Sequence, residues 1–170
     1  MRHRLVVLAP NPVKVVEYAG GWLFDRAMAG WQATVLTPGG GGSRPLQILG
    51  SRTYDLETAV TAKPSGYQVH AMAVDAHLYE TDARVRRLVL DALGRGLSEL
   101  WLWGDPLPAD LGGATGSMQH RLSVAARAFK AQALEAAAAP ADSLDLAEVF
   151  RGGNLPRTAP VSLERVPATL

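Results

Sequence analysis

The stretch from Arg4 to Gly21 constrains the fold most. It reads Arg-Leu-Val-Val-Leu-Ala-Pro-Asn-Pro-Val-Lys-Val-Val-Glu-Tyr-Ala-Gly-Gly. Leu5 to Ala9 is an unbroken apolar run with Val6 and Val7 near its centre, which suits a strand covered on both faces. Asn11 then has the chemistry of a helix N-cap, and Pro12 suits the first helical position. Val16, Ala19, Gly20, Leu23 and Ala27 recur at helical spacing beyond it. A buried strand followed at once by a helix is the building unit of a parallel sheet. Such sheets take their ligands beyond the carboxyl ends of the strands. The stretch therefore predicts a fold and a place to look, and it names no activity.

The alternation continues along the chain. Gln32 to Thr37 reads as a second strand. Pro38 to Pro45, with glycine at 39–42, reads as a flexible hairpin tip, and Leu46 to Leu49 as a short third strand. The connection lacks a helical pattern and is shorter than a parallel crossover needs, so strand three is expected antiparallel at an edge. Thr53 to Val60 is expected as a short helix after Ser51 or Thr53, with a turn at Pro64–Gly66. Tyr67 to Val74 is strand four, and the next helix buries Val85, Leu88, Val89 and Ala92. Ser98 to Trp103 is strand five. Ser117 is expected to cap a helix whose inner stripe is Leu122, Ala125, Ala126, Phe129 and Ala133. That helix would carry His120, Arg127 and Lys130 on or near an exposed basic face, and Trp22 lies off the stripe of the first helix.

These elements give a three-layer α/β fold. The sheet is expected to be mostly parallel and five-stranded, in the order 3-2-1-4-5, with helices on both faces. In architecture this resembles the flavodoxin-like and Rossmann-like class. One α/β domain is expected over residues 1–151, followed by an extended tail over 152–170 with three prolines and no hydrophobic period.

Composition removes several functions. The chain has 170 residues, 48% of them hydrophobic and 19% charged, enough for one substantial core. A net charge of +1 argues against a strongly basic nucleic-acid binder. With no cysteine, disulfides, thiolate metal ligands and cysteine nucleophiles are excluded. No metal site is expected. The apolar run after Arg2-His3-Arg4 is too short for a secretory leader, and no segment has the length of a membrane span. A cytoplasmic location is expected.

Strand order reverses between strands one and four, which is where an open sheet binds ligands. Asn11, Asp75 and His77 stand there, with Asp105 after the neighbouring strand five. Asn11 and Asp75 are suited to helix caps. The functional alternatives are an anion at the helix start for Asn11 and an acid–base pair for Asp75 and His77. The run Gly112-Gly-Ala-Thr-Gly-Ser117 offers backbone donors and the Ser117 hydroxyl to an anion. These five residues, Asn11, Asp75, His77, Asp105 and Ser117, are the expected ligand-binding set.

Familiar catalytic signatures are missing. There is no G-x-x-x-x-G-K-[ST], no G-x-G-x-x-G between strand and helix, and no G-x-S-x-G around Ser117. The sequence also lacks the acidic pair and lysine of a phosphate-accepting receiver. The first expectation is therefore a non-catalytic interaction or regulatory module, acting as a homodimer or with a protein partner, without nucleic acid or membrane. The alternative is a nucleotide- or phosphometabolite-binding protein or small enzyme, with its site at the C-terminal edge of the sheet and a small anionic ligand.

Overall fold

A computed structural model of the chain describes residues 2–40, 43–62, 68–111, 116–140 and 144–155. The first unit folds as its sequence dictates. Strand β1 (Arg4–Leu8) leads into helix α1 (Pro12–Met28), and the Asn11 side chain accepts a hydrogen bond from the Lys14 N–H at 3.0 Å. β2 (Gln32–Thr37) lies parallel to β1, with Leu5 opposite Ala33 and Leu8 opposite Leu36.

The next segment corrects the expected antiparallel edge strand. Leu46 to Leu49 does not form a strand: Ser43–Ile48 is helix α2, and the third strand is β3 (Arg52–Asp55), parallel to β2. A four-residue apolar run fits either a strand or one buried helical turn. Here Leu46 and Leu49, three apart, both point into the core. The α2 turn lets the connection cross over in the parallel sense.

Helix α3 (Leu56–Thr61) begins at Asp55, whose carboxylate accepts from the Glu57 N–H, so the expected cap at Ser51 or Thr53 is also corrected. The turn at Pro64–Gly66 lies outside the described residues. β4 (Ala71–Asp75) inserts between β1 and β5 (Glu99–Trp103). The chain between them forms α4 (Ala76–Thr81) and α5 (Ala83–Gly94), with Val85 and Val89 facing inward.

The end of the fold differs most from expectation. Ser117 caps no helix. It opens β6 (Ser117–Arg121), and α6 (Val124–Ala136) is capped six residues later by Ser123, whose hydroxyl accepts from the Ala126 N–H at 3.0 Å. The segment after Pro140 contains β7 (Ala147–Asn154), antiparallel to both β5 and β6. β7 runs past residue 151, and 156–170 lie outside the described residues. The sheet is thus seven-stranded, in the order β3-β2-β1-β4-β5-β7-β6. The expected order of the first five strands stands, and the β6–β7 hairpin extends the sheet beyond them.

Alternate strand residues face two cores. Leu5, Val7 and Ala9 pack with α1, α2 and α6, while Leu8, Met72 and Val74 pack with α3, α4 and α5. The three-layer α/β architecture follows. Trp22 is 1% exposed against Phe150 of β7, so it offers no interface. The basic face expected on the last helix is also corrected: His120 is on β6, bound to Asp25 at 2.8 Å, and Lys130 is fully buried. No helix among the described residues is long and apolar enough to cross a membrane.

One pH dependence arises at the N-terminal edge of the sheet. His70 Nδ1 accepts a hydrogen bond from the Arg4 N–H at 3.1 Å, which requires that nitrogen to be unprotonated. Burial, aided by the charges of His3 and Arg4, holds His70 below its ordinary value of 6.5. A lowered folded value favours the neutral ring in the native state. Its contribution is present above the ordinary pKa and is lost as pH falls through the folded value. Melting temperatures measured from neutral to mildly acidic pH are expected to fall more in the wild type than in His70→Leu. Parallel curves would refute the assignment.

Candidate functional site

The C-terminal edge of the sheet is formed by the ends of β1, β2, β4 and β5. Leu102 pairs with Arg151, so the start of antiparallel β7 projects past Trp103 on that same edge. Two clefts open there on the α1 side. Their chemistry differs.

The first, of about 610 Å³, lies between α1, the end of β5 and the start of β7. Glu17, Asp105, Asp145 and Glu148 line it, with Arg151, Tyr18 and Trp103. Trp103 is 2% exposed, and its indole Nε1 has no hydrogen-bond partner among the described residues. A buried tryptophan N–H usually finds an acceptor, and an unpaired one costs about 1–3 kcal/mol. Strand alternation puts Trp103 and Trp101 in the same core as α1, the side on which this cleft opens. The Tyr18 ring stacks on Trp103 with centroids 6.4 Å apart and planes 10° from parallel. Asp105, Asp145 and Arg151 form no ion pairs among the described residues. The cleft therefore holds carboxylates for proton transfer, a cation and one buried donor awaiting an acceptor.

The wall of this cleft rests on a buried ion pair. Lys130 Nζ lies 2.7 Å from Glu148 Oε2 and also donates to the Glu17 carbonyl at 2.7 Å. The same carboxylate accepts from the Gly21 N–H at 2.9 Å and the Trp22 N–H at 2.6 Å. In a regular helix those two N–H groups serve the carbonyls of Glu17 and Tyr18. The pair is thus inserted into the middle of α1. Burial pushes the Glu148 carboxyl above its ordinary value, while the Lys130 ammonium and the two N–H groups oppose it. Gly21, beside this pair, leaves room for Leu122, whose side chain a Cβ there would run into.

The second cleft, of about 750 Å³, lies between the end of β2 and the first turn of α1, beside α2 and the last turn of α6. Asn11, Val13, Thr37 and Arg44 are among its lining residues, and among the described residues Arg44 carries the one formal charge there.

The expected ligand-binding set is divided by this geometry. Asn11 lines the second cleft as the α1 cap, and Asp105 lines the first. Asp75 caps α4, its Oδ1 accepting from the Leu78 N–H at 2.8 Å, and His77 is exposed on the first turn of that helix. Neither lines these two clefts. Ser117 is exposed at the start of β6 opposite Arg151, with 112–115 outside the described residues. Ser123, Asp25 and His120 meet, but Asp25 binds both others, so the serine is not activated by the histidine as a nucleophile would be. No group of three or more histidine, aspartate or glutamate side chains among the described residues is placed to hold a metal ion.

The sequence reading missed Tyr18, Trp103, Asp145, Glu148 and Arg151 as lining residues. A signal was present for part of this. In Ala147–Asn154 buried and exposed residues alternate, placing Glu148, Phe150 and Gly152 on one face. An acid on the inner face of a strand calls for a buried base, and Lys130 is the lysine within α6.

No family pattern matches the chain in sequence, and no curated protein matches it. Solved structures do match its fold. A deacetylase in complex with teicoplanin, from the teicoplanin biosynthesis pathway, superposes with a TM-score of 0.63 at 12% identity, covering 89% of this chain and 99% of its own. The deacetylase of an antimicrobial pseudoaglycone gives 0.62 at 15% identity, over 94% and 100%. The 4-carboxy-2-hydroxymuconate hydratase of Pseudomonas putida gives 0.59 at 9% identity, over 91% and 97%. At such identities the likeness is one of fold. It nonetheless corrects the expectation of a non-catalytic interaction module, which rested on missing motifs. Enzymes share this whole architecture, and the alternative of a small enzyme fits them better.

Proposed function

We propose that this chain is a small enzyme that adds water to a polar substrate in the acidic cleft between α1, β5 and β7, with amide hydrolysis as its reaction. The observation that carries the reading is the buried, partnerless Trp103 N–H in a cleft lined by carboxylates. Deacetylation and hydration, the activities named for the neighbours in fold, both consume water.

In this reading Asp105 takes a proton from a water molecule as its oxygen attacks the amide carbon. The carbonyl oxygen gains negative charge that the Trp103 N–H receives, with the Arg151 guanidinium adding positive charge from the other face of β7. The C–N bond then breaks, and protonated Asp105 returns its proton to the leaving nitrogen. A carboxylate and an amine are the products. Incubation with a panel of N-acetylated amines, including amino acids and amino sugars, tests this through release of free amine. Turnover above the uncatalysed blank is expected for at least one member. A panel that yields none counts against the reading.

A further inference from the structure

The second cleft carries a separate inference, independent of the chemistry in the acidic one. Thr37 ends β2 and is 1% exposed, yet its hydroxyl has no hydrogen-bond partner among the described residues. Alternation along β2 turns Thr37 to the same side as Ala33 and Val35, which pack with α1. That is the side on which the cleft opens, and Thr37 lines it. The hydroxyl is thus a buried group without a partner among the described residues, on a residue that lines the cleft. Its backbone is held still: the Thr37 carbonyl accepts from the Gly40 N–H, and Asp55 accepts from the Gly39 N–H.

Facing Thr37 is the first turn of α1, a helix of 17 residues whose N-terminus presents partial positive charge. Pro12 has no N–H, and Asn11 already accepts from Lys14. The first-turn donor left over is Val13, which lines the cleft. Arg44 is exposed, also lines it, and forms no ion pair among the described residues. Among the described residues no acidic side chain lines this cleft. A hydroxyl, a helix N-terminus and a guanidinium share one complement, a tetrahedral oxyanion. We infer that this cleft binds the phosphoryl group of a small phosphorylated ligand. The group is held by Thr37 Oγ1, the Val13 N–H and Arg44.

Titration with inorganic phosphate and with glucose 6-phosphate, followed by melting temperature and calorimetry, tests the site without reference to turnover. Both are expected to give a saturable stabilisation that sodium chloride at matched ionic strength does not. Thr37→Val removes a hydroxyl that is unpaired without ligand, so the fold is retained. It is expected to weaken phosphate binding about tenfold, the worth of one good hydrogen bond. Arg44→Gln, at an exposed position, is expected to weaken it at least as much. Absence of saturable binding in the wild type overturns the inference, as does binding left unchanged by both variants.

Discussion

Replacing Lys130 with methionine is expected to remove about 3–5 kcal/mol of folding stability, the cost of stranding one member of a buried ion pair. The reason is local. Lys130 is fully buried and Glu148 is 4% exposed, so little solvent is at hand for the carboxylate once the ammonium is gone. The Glu17 carbonyl loses its donor as well. Methionine fills most of the lysine stem's volume, so the loss reports charge and hydrogen bonding more than a cavity. Glu148→Gln is expected to cost a similar amount by leaving the ammonium unpaired. The double variant is expected to lose less than the two singles together, by about 1–3 kcal/mol, the coupling typical of residues in contact. Urea denaturation of the four proteins gives the cycle directly. Additive losses would mean that the pair does not act as a unit.

Asp105→Asn is expected to lower kcat for amide hydrolysis by about 10²–10⁴, the contribution of a positioned general base. The amide is close to the carboxylate in shape and cannot take the proton from water. KM is expected to move far less, because Trp103 and Arg151, which meet the charge on the substrate, are untouched. Asp105 is exposed and forms no hydrogen bond among the described residues, so stability is expected to change by no more than about 0.5 kcal/mol. That separation matters, since a fall in activity with an unchanged melting temperature cannot be assigned to loss of fold. If kcat survives in Asp105→Asn, the base is another group. Asp145 is the next carboxylate on the same cleft.

The sequence made β1, β2, β4 and β5 legible because their signals are local. Leu5 to Ala9 is apolar throughout, and Asn11-Pro12 starts a helix unaided. The α2 turn was less legible: Leu46 to Leu49 satisfies two periods, and the choice falls to the crossover it must complete. The β6–β7 hairpin was hidden for a different reason. Ser117 and Ser123 are both competent caps, and the alanine-rich run beyond favours helix from either. What settles the start is tertiary: Asp25 of α1 binds both His120 and Ser123, fixing the junction from outside the segment. β7 carries two adjacent glycines, which weaken a strand signal, yet Gly152 is needed there. Its φ is +128°, and a Cβ would run into the Leu100 carbonyl.

The candidate site was legible only as a location. The C-terminal edge follows from strand order alone. Its contents follow from β7, which delivers Glu148 and Arg151 from far along the chain. Asn11 and Asp105 were singled out by position, and the structure sets them in different clefts. Trp103 read as an ordinary core residue, and only the missing partner for its N–H distinguishes it.

If the acidic cleft adds water to its substrate, solvent oxygen enters the product. The most direct test is to run the amide panel in heavy-oxygen water and follow the released carboxylate by mass spectrometry. One solvent oxygen is expected in the product of at least one amide, formed by the wild type and lost with Asp105→Asn. Solvent oxygen incorporated no faster than in the blank, or equally fast in Asp105→Asn, would contradict it.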